Sequence, residues 1–176
     1  MRNYRKKILY VAYIASSIDG RIAEHSLDNL SWTSTEDWQF LQNSLKKFDV
    51  VIVGRNTYRV AKKNLDKRNA IVLTNKKLKS FGSVKFLKPE KHSIKRYLMN
   101  NQYKRVAILG GPRVYDFCLK NKMFDEIFVT IEPYIFTNGI PMFTGEKFKR
   151  YNFLLKSIKK LNKKGTLLLH YICKYK

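Results

Sequence analysis

Short apolar runs, separated by polar stretches rich in lysine, dominate the pattern of the chain. A short and nearly unbroken apolar run is typical of a strand that is covered on both faces of a sheet. Strands are therefore predicted over residues 8–15, 50–53, 70–74, 84–87 and 105–109.

Helical spacing occurs between these runs. Trp38, Leu41 and Leu45 recur at intervals of a helical turn behind the cap-type residues Thr33-Ser34-Thr35-Glu36, which predicts a helix over residues 37–47. Further helices are predicted from residue 56 onward, over residues 93–101 and from residue 112 to residue 120. Residues 16–31 are predicted to form a polar loop. Strands that alternate with helices favour right-handed crossovers and a largely parallel sheet.

The last third of the chain follows a different pattern. Strands are predicted over residues 126–131, 153–158 and 166–171, with no helix of any length between them, so these strands are expected to add antiparallel pairs. The predicted fold is α/β, with a mixed and mostly parallel central sheet flanked by helices and antiparallel strands at the C-terminal end. With 176 residues, of which 44% are hydrophobic, the chain suits one domain over residues 1–176.

The charge of the chain is extreme, since 36 Lys and Arg against 13 Asp and Glu give a net charge of +23. Such a field attracts phosphates, nucleic acids or anionic membranes. The basic residues are spread over nearly the whole length, and no zinc-finger spacing, RNA-recognition signature or heptad accompanies them. A solvated surface rich in lysine is therefore expected, without a specific nucleic-acid partner. No apolar stretch approaches the roughly 20 residues that a membrane span requires, so no membrane partner is expected.

The two cysteines, Cys118 and Cys173, lie in apolar surroundings without CxxC spacing or a Cys/His cluster. This pattern indicates buried thiols in a reducing compartment and predicts no metal site. Basic residues ahead of residues 8–15 give the start some likeness to a signal peptide, but the apolar run is short and leads directly into Asp19-Gly20-Arg21. A first core strand explains the run better, and a cytoplasmic protein is expected.

A buried strand ends in glycine at two places, and a helix opens directly after each glycine. The first junction is Gly54-Arg55-Asn56-Thr57 and the second is Gly110-Gly111-Pro112-Arg113. Glycine lets a ligand approach the main chain, and the first free N–H groups of a helix favour an anion. Each junction alone is also ordinary turn chemistry. Two of them in one chain suit a ligand with two phosphate groups, as in NADPH.

Several motifs in order resemble one superfamily. Ser17-Ile18-Asp19-Gly20-Arg21-Ile22-Ala23, followed by Trp32-Thr33-Ser34, resembles the opening of the pyrimidine reductases of riboflavin biosynthesis. Gly54-Arg55-Asn56-Thr57-Tyr58 is similar to a turn that their relatives share with dihydrofolate reductase. The resemblance continues through Leu109-Gly110-Gly111, Val114-Tyr115, Asp125-Glu126-Ile127 and Gly139-Ile140-Pro141-Met142-Phe143, and it covers about residues 8–145. It implies the three-layer fold of dihydrofolate reductase.

The resemblance also implies a cofactor, NADPH, and a role for individual positions. The expected nicotinamide contacts are Ala15, Gly20, Ile22 and Trp32. The expected phosphate contacts are Gly54, Arg55, Thr57, Gly110, Gly111, Pro112, Arg113 and Val114, and the expected adenosine contacts are Thr74 and Asn75. The expected substrate contacts are Asp37, Leu41, Arg68, Tyr115 and Thr130, with Asp37 as the catalytic acid.

Three of the polar residues have a simpler interpretation beside the functional one. Asp37 begins a capped helix, where the helix dipole alone favours an acid. Arg68 follows Lys67 in a basic run and fits a solvated surface arginine. Asp19 lies in a loop, where its side chain is expected to fix the turn before Gly20.

The expected function is an NADPH-dependent reductase of a small heterocycle, with a pyrimidine of the 5-amino-6-(5-phosphoribosylamino)uracil type as its substrate. Two departures leave the substrate open: Leu30 stands where the pyrimidine reductases carry a serine, and these 176 residues contain no counterpart of their deaminase domain. Dihydrofolate reductase activity is one alternative, and a non-catalytic protein that binds nucleotides or nucleic acid is another. A two-fold homodimer is the expected assembly.

Overall fold

The computed structural model describes residues 8–28, 31–145 and 149–175. Its strands are β1 (Leu9–Ser16), β2 (Arg21–Ala23), β3 (Val50–Gly54), β4 (Ala70–Leu73), β5 (Val84–Leu87), β6 (Arg105–Ile108), β7 (Glu126–Ile131), β8 (Ile140–Pro141), β9 (Asn152–Lys160) and β10 (Leu167–Lys174). Its helices are α1 (Thr35–Leu45), α2 (Arg55–Leu65), α3 (Lys91–Asn100) and α4 (Pro112–Lys120).

The central sheet has eight strands in the order β5-β4-β3-β6-β1-β7-β10-β9. Neighbouring strands from β5 to β7 are parallel. Strand β10 is antiparallel to both β7 and β9. The mixed, mostly parallel sheet with antiparallel strands at its C-terminal end is therefore confirmed.

Both faces of the parallel part of the sheet are covered by helices, which explains the unbroken apolar runs there. In β1, Tyr10, Ala12 and Ile14 enter one core cluster, while Val11 and Tyr13 enter the other. Apolar residues of α3 and α4 complete the first cluster, and apolar residues of α1 and α2 complete the second. Because alternate strand residues point to opposite faces, two covered faces require apolar residues at every position.

The loop predicted over residues 16–31 is wrong in part, because Arg21–Ala23 forms strand β2 and pairs with β8 in a separate two-stranded sheet. So short a strand has no periodicity, and it is stabilised by partners far away in the chain. Helices α1 and α2 also begin slightly earlier than predicted, at Thr35 and Arg55. None of the described helices is long and apolar enough to span a membrane.

Candidate functional site

The C-terminal ends of the parallel strands meet at one edge of the sheet, where α1, α2 and α4 begin. In open α/β sheets this edge is the usual place for a ligand. Most of the residues that the sequence singled out lie there. Ala15 is paired with Thr130 across β1 and β7, the two glycine junctions follow β3 and β6, and Thr74 follows β4.

The two glycine junctions are in direct contact. The Gly54 N–H donates to the Gly110 carbonyl at 2.6 Å. Gly54 and Gly111 are the N-cap residues of α2 and α4, and no side chain of the described residues caps either helix. A Cβ atom built on Gly111 would lie 3.7 Å from Thr57 Oγ1. The structure therefore brings two uncapped helix N-termini together, an arrangement that can hold anions.

Gly110 allows the close approach between this junction and α4. Its φ is +92°, and its peptide bond to Gly111 is cis. A Cβ atom on Gly110 would lie 2.6 Å from the Tyr115 ring. The Tyr115 hydroxyl donates to the Tyr13 carbonyl at 2.7 Å, and burial raises its pKa well above the usual value. The Tyr115 hydroxyl proton is therefore engaged by the main chain and is not available to a ligand.

Asp37 lies in the first turn of α1 and is only 8% exposed. Thr130 Oγ1 donates to its Oδ1 at 2.5 Å. Burial raises the pKa of Asp37 from 3.8 to about 6; the Thr130 hydrogen bond opposes this shift, and the negative charge of Glu132 adds to it. A buried carboxyl that is half protonated near pH 6 can both accept and donate a proton.

The cap of α1 is Ser34, whose Oγ accepts from the Asp37 N–H at 3.3 Å. The Asp37 carboxyl turns instead towards β7 and Thr130. The helix dipole still acts on this carboxyl, but the capping hydrogen bond belongs to the serine.

Asp19 fixes the loop between β1 and β2, as predicted. Its Oδ1 accepts from Ser17 Oγ at 2.6 Å and from the Phe136 N–H at 3.1 Å, and its Oδ2 accepts from the Thr137 N–H at 3.0 Å. The Ser17 hydrogen bond is the largest cause of the lowered pKa of Asp19. Gly20 then turns the chain with a φ of +77°.

Two predicted nicotinamide contacts flank this loop. Ile22 lies in β2 and packs against the core cluster under α4. The Trp32 ring meets Phe136 edge to face at 4.9 Å. Its buried Nε1 has no hydrogen-bond partner in the described part of the chain. Leu30, which departs from the pyrimidine-reductase motif, lies outside the described residues.

A basic groove of about 400 Å³ adjoins Thr74 at the end of β4. Lys76, Lys77, Lys79 and Lys88 line it, together with Leu78, Phe86 and Leu87. Thr74 is buried, whereas Asn75 is exposed. Sequence reasoning selected Thr74 and Asn75 here but did not select the lysines. Their clustering follows from the parallel pairing of β5 with β4, which the spacing along the chain does not reveal.

Arg68 lies at the opposite end of α1 from Asp37. Its Nη1 donates to the Leu45 carbonyl at 3.3 Å, in the last turn of the helix. Leu41 lies one turn after Asp37 and packs against the core between α1 and the sheet. Asp37 and Leu45 are eight positions apart, which corresponds to about 12 Å along the helix axis. Arg68 is half-buried and bonded to α1, and is not a freely solvated side chain.

Sequence reasoning missed the buried carboxylate of Glu132, which is 2% exposed at the end of β7. It accepts from the Ser34 N–H at 2.7 Å and from Thr166 Oγ1 at 2.6 Å. An acid that follows an apolar strand directly was the available signal. No group of three or more His, Cys, Asp and Glu within residues 8–28, 31–145 and 149–175 could hold a metal ion.

The fold and the arrangement of this edge define a dihydrofolate-reductase-like protein. The family model for dihydrofolate reductase matches residues 9–157, so the chain belongs to the dihydrofolate reductase family, and the resemblance found in the motifs is confirmed. Membership of the dihydrofolate reductase family supports the interpretation of this chain as an oxidoreductase. The uncharacterized protein YwjB of Bacillus subtilis (strain 168) is 26% identical over 170 residues, which cover 92% of this chain and 96% of YwjB.

Solved structures share the fold at lower identity. A diaminohydroxyphosphoribosylaminopyrimidine deaminase/5-amino-6-(5-phosphoribosylamino)uracil reductase of Thermotoga maritima has a TM-score of 0.74 at 19% identity, over 96% of this chain and 57% of that one. The chain thus spans little more than half of that protein. A dihydrofolate reductase of Enterococcus faecalis, complexed with NADP(H) and RAB-propyl, has a TM-score of 0.69 at 19% identity, over 95% of this chain and 97% of that one.

Proposed function

We propose that the protein is an NADPH-dependent reductase of a small nitrogen heterocycle, and that its substrate is a pyrimidine of the 5-amino-6-(5-phosphoribosylamino)uracil type. The observation that carries the reductase proposal is the buried Asp37 carboxyl, which lies at the same sheet edge as two uncapped helix N-termini and can serve either ring. Oxidation of NADPH by this pyrimidine in the presence of the protein, followed by nicotinamide absorbance, is the experiment that tests it.

The residues at this edge fit NADPH. Gly54 and Gly111 leave the main chain of both junctions open to a phosphate group, and the side chains of Arg55 and Arg113 can add fork-shaped donors. The basic groove beside Thr74 suits a further phosphate at the adenosine end. At the proposed nicotinamide end, Ala15 lies near the end of β1, and the buried Trp32 Nε1 has no partner among the described residues. NADPH supplies a hydride when bound, and the protein orients it.

Asp37 is the group that would hold the heterocycle and manage its proton. One carboxyl oxygen is fixed by Thr130, so the other can accept a ring N–H of the substrate. With a pKa of about 6, the same carboxyl can donate a proton to the ring when the hydride arrives. The ring of Tyr115 is buried and packs against Gly110, so it excludes water from the core beside this edge.

Dihydrofolate is the second candidate substrate, and one observation favours it. Asp37 and Arg68 lie at the two ends of α1, about 12 Å apart along its axis. A pterin ring at Asp37 and the glutamate carboxylate of folate at Arg68 would fit such a separation. The hydrogen bond from Arg68 to the Leu45 carbonyl uses one of its five N–H donors and leaves the others for a carboxylate.

We expect the protein to bind NADPH more tightly than NADH, because Arg55 opens α2 beside the two junctions and pairs with no acid among the described residues. Arg55→Ala should weaken NADPH by about 1–3 kcal/mol, the usual worth of a hydrogen bond to a charged group. NADH affinity should hardly change if Arg55 binds the 2′-phosphate. Fluorescence titration measures both. Arg59→Ala, one turn later on the exposed side of α2, is the matched control. Equal affinities of the unchanged protein for both cofactors would contradict the assignment.

We also propose a two-fold homodimer, in keeping with the apolar face at the end of the sheet. Three rows of paired residues cross β7, β10 and β9 there: Ile131-Leu167-Lys160, Val129-Leu169-Ile158 and Ile127-Tyr171-Leu155. Ile158 is 59% exposed and Leu155 is 43% exposed. Ile127 is buried in the core, and Lys160 is the single charged residue of these nine, so two strongly basic copies can approach through the exposed residues of this face.

Light scattering should give twice the chain mass of 20.9 kDa. Ile158→Lys should give the mass of one chain, because it places a charge at the centre of the apolar face. Met99→Lys, at an exposed apolar position on α3, should leave the mass unchanged. A single-chain mass for the unaltered protein would contradict the dimer.

A cytoplasmic location completes the proposal, in keeping with the free thiols of Cys118 and Cys173. Cell fractionation tests this location.

A further inference from the structure

Glu132 is a buried carboxylate that the proposed reaction does not use. It lies directly after β7, and its Oε1 and Oε2 both accept hydrogen bonds, from the Ser34 N–H and from Thr166 Oγ1. Asn162 Nδ2 donates to the same Thr166 oxygen at 2.9 Å, so the hydroxyl proton of Thr166 is directed at Glu132. Glu132 thus accepts at both oxygens, as a carboxylate does.

These hydrogen bonds tie the first turn of α1 to the end of the sheet. Ser34 caps α1 through the Asp37 N–H, and its own N–H is held by Glu132. Thr130 lies on β7 and Glu132 directly follows that strand, two residues later, so their side chains leave the chain on the same side. One binds the Asp37 side chain and the other binds the cap of the helix that carries Asp37.

The same arrangement places two acidic groups close together away from water. Glu132 is 2% exposed and Asp37 is 8% exposed. Like charges in such surroundings oppose each other more strongly than they do in solvent. Two other titratable groups lie near the pair. Glu36 is exposed and accepts from Asn162 Nδ2. Burial raises the pKa of the Tyr115 phenol.

We infer that Glu132 is a positioning residue for Asp37: it anchors the N-terminal turn of α1 to β7 and holds a second buried negative charge against the Asp37 carboxyl. Glu132 touches neither substrate nor cofactor in this role. It sets the direction of the Asp37 side chain and the pH at which that side chain gives up its proton. The inference deepens the proposed function and rests on it for its catalytic meaning.

Carboxyl carbon NMR of the full chain, titrated without substrate or cofactor, tests the inference. Asp37 should titrate near pH 6 in the unaltered protein, because burial and the charge of Glu132 both raise its pKa. Glu132→Gln keeps an acceptor for Ser34 and removes the charge, so the Asp37 midpoint should fall by about 0.5 to 1 pH unit. Glu126→Gln is the matched control, since Glu126 lies on the same strand but pairs with His170. That control should leave the midpoint unchanged.

Hydrogen exchange separates the anchoring role from the charge. Glu132→Ala removes the acceptor for the Ser34 N–H, so this amide should exchange at least about tenfold faster than in the unaltered protein. In Glu132→Gln the acceptor is kept, so the exchange rate of this amide should stay low. An Asp37 midpoint that is the same in the unaltered protein and in Glu132→Gln would overturn the inference.

A second measurement needs no variant and covers the case in which Glu132→Gln does not fold. In the unaltered protein, the carboxyl signal of Glu132 should move as Asp37 titrates, and the signal of Glu126 should not. A Glu132 signal that is indifferent to the titration of Asp37 would overturn the inference. Neither measurement needs turnover, so a protein without reductase activity would contradict the proposed function alone.

Discussion

Asp37→Asn should lower the turnover of the reductase by about 10²- to 10⁴-fold, the range that a positioned general acid or base supplies. Asparagine keeps the size of the side chain, and its amide oxygen can still accept from Thr130 Oγ1. The change therefore removes the ionisable proton and the charge but leaves the packing nearly intact. Steady-state kinetics with the preferred substrate and NADPH measure the loss.

Glu36→Gln is the matched control for this change. Glu36 precedes Asp37 in the first turn of α1, but it is exposed and accepts from Asn162 Nδ2. Its variant should retain nearly full turnover. Turnover of Asp37→Asn within about threefold of the unaltered protein would contradict a catalytic role for Asp37, because loss of a general acid or base lowers the rate by at least about 10²-fold.

The same variant should unfold less easily than the unaltered protein above pH 6. The folded-state pKa of Asp37 is about 6, and the ordinary value is 3.8. The folded protein therefore holds a proton that the unfolded chain has already released, so the free energy of unfolding falls as the pH rises from about 4 to about 6. Above pH 6 the full penalty of a buried charge is present, on the order of 3 kcal/mol. Urea unfolding should show that Asp37→Asn raises the free energy of unfolding by most of this amount at pH 8 and by little at pH 4.

The sequence alone could not decide between two interpretations of Asp37. An acid in the first turn of a capped helix is consistent with a dipole interaction and with catalysis. The structure separates the two, because Ser34 provides the cap and the Asp37 carboxyl turns to Thr130 and away from water. Burial, which no single-sequence pattern reports for a polar residue, raises its pKa.

The sheet was predictable because its strands satisfy a local rule. Residues such as Ala12 and Ile52 are buried in a sheet with two covered faces, and the resulting unbroken apolar runs are visible in the chain. The pairing of β2 with β8 and the position of Glu132 obey no local rule. Both depend on the return of the segment after β7 to the loop after β1, seen in the hydrogen bond from the Ile18 N–H to the Tyr134 carbonyl. Such a return is fixed by tertiary packing and not by periodicity.

The sequence predicts two glycine junctions that together suit one ligand with two phosphate groups, but it does not predict their contact. Each has a local signal, because a glycine between a buried strand and a helix leaves its mark on the sequence. Their contact through the Gly54 N–H and the Gly110 carbonyl arises only from the adjacency of β3 and β6 in the sheet. The strand order therefore brings together two junctions that are far apart in the sequence.

The choice between the two candidate substrates should show the other large effect. We expect the pyrimidine 5-amino-6-(5-phosphoribosylamino)uracil to be reduced at least about tenfold faster than dihydrofolate under equal NADPH, as judged by kcat/KM. Two features argue for this outcome. The loop from Ser17 to Ala23 and the Trp32-Thr33-Ser34 element resemble the pyrimidine enzymes, and a chain of net charge +23 attracts a phosphorylated substrate.

Asp37 and Arg68 argue for dihydrofolate, so their variants make the comparison decisive. Arg68→Ala should lower dihydrofolate turnover, chiefly through KM, if Arg68 binds the glutamate carboxylate, and should leave the pyrimidine reaction nearly unchanged. Raised salt should weaken the pyrimidine reaction more, because screening reduces the attraction of its phosphate. Rapid dihydrofolate reduction that is abolished by Asp37→Asn, with no reduction of the pyrimidine, would contradict the proposed substrate and establish dihydrofolate in its place. The reason is physical: the same buried carboxyl can protonate either ring, and only the contacts beyond it, at Arg68 or at the basic surface, distinguish the two substrates.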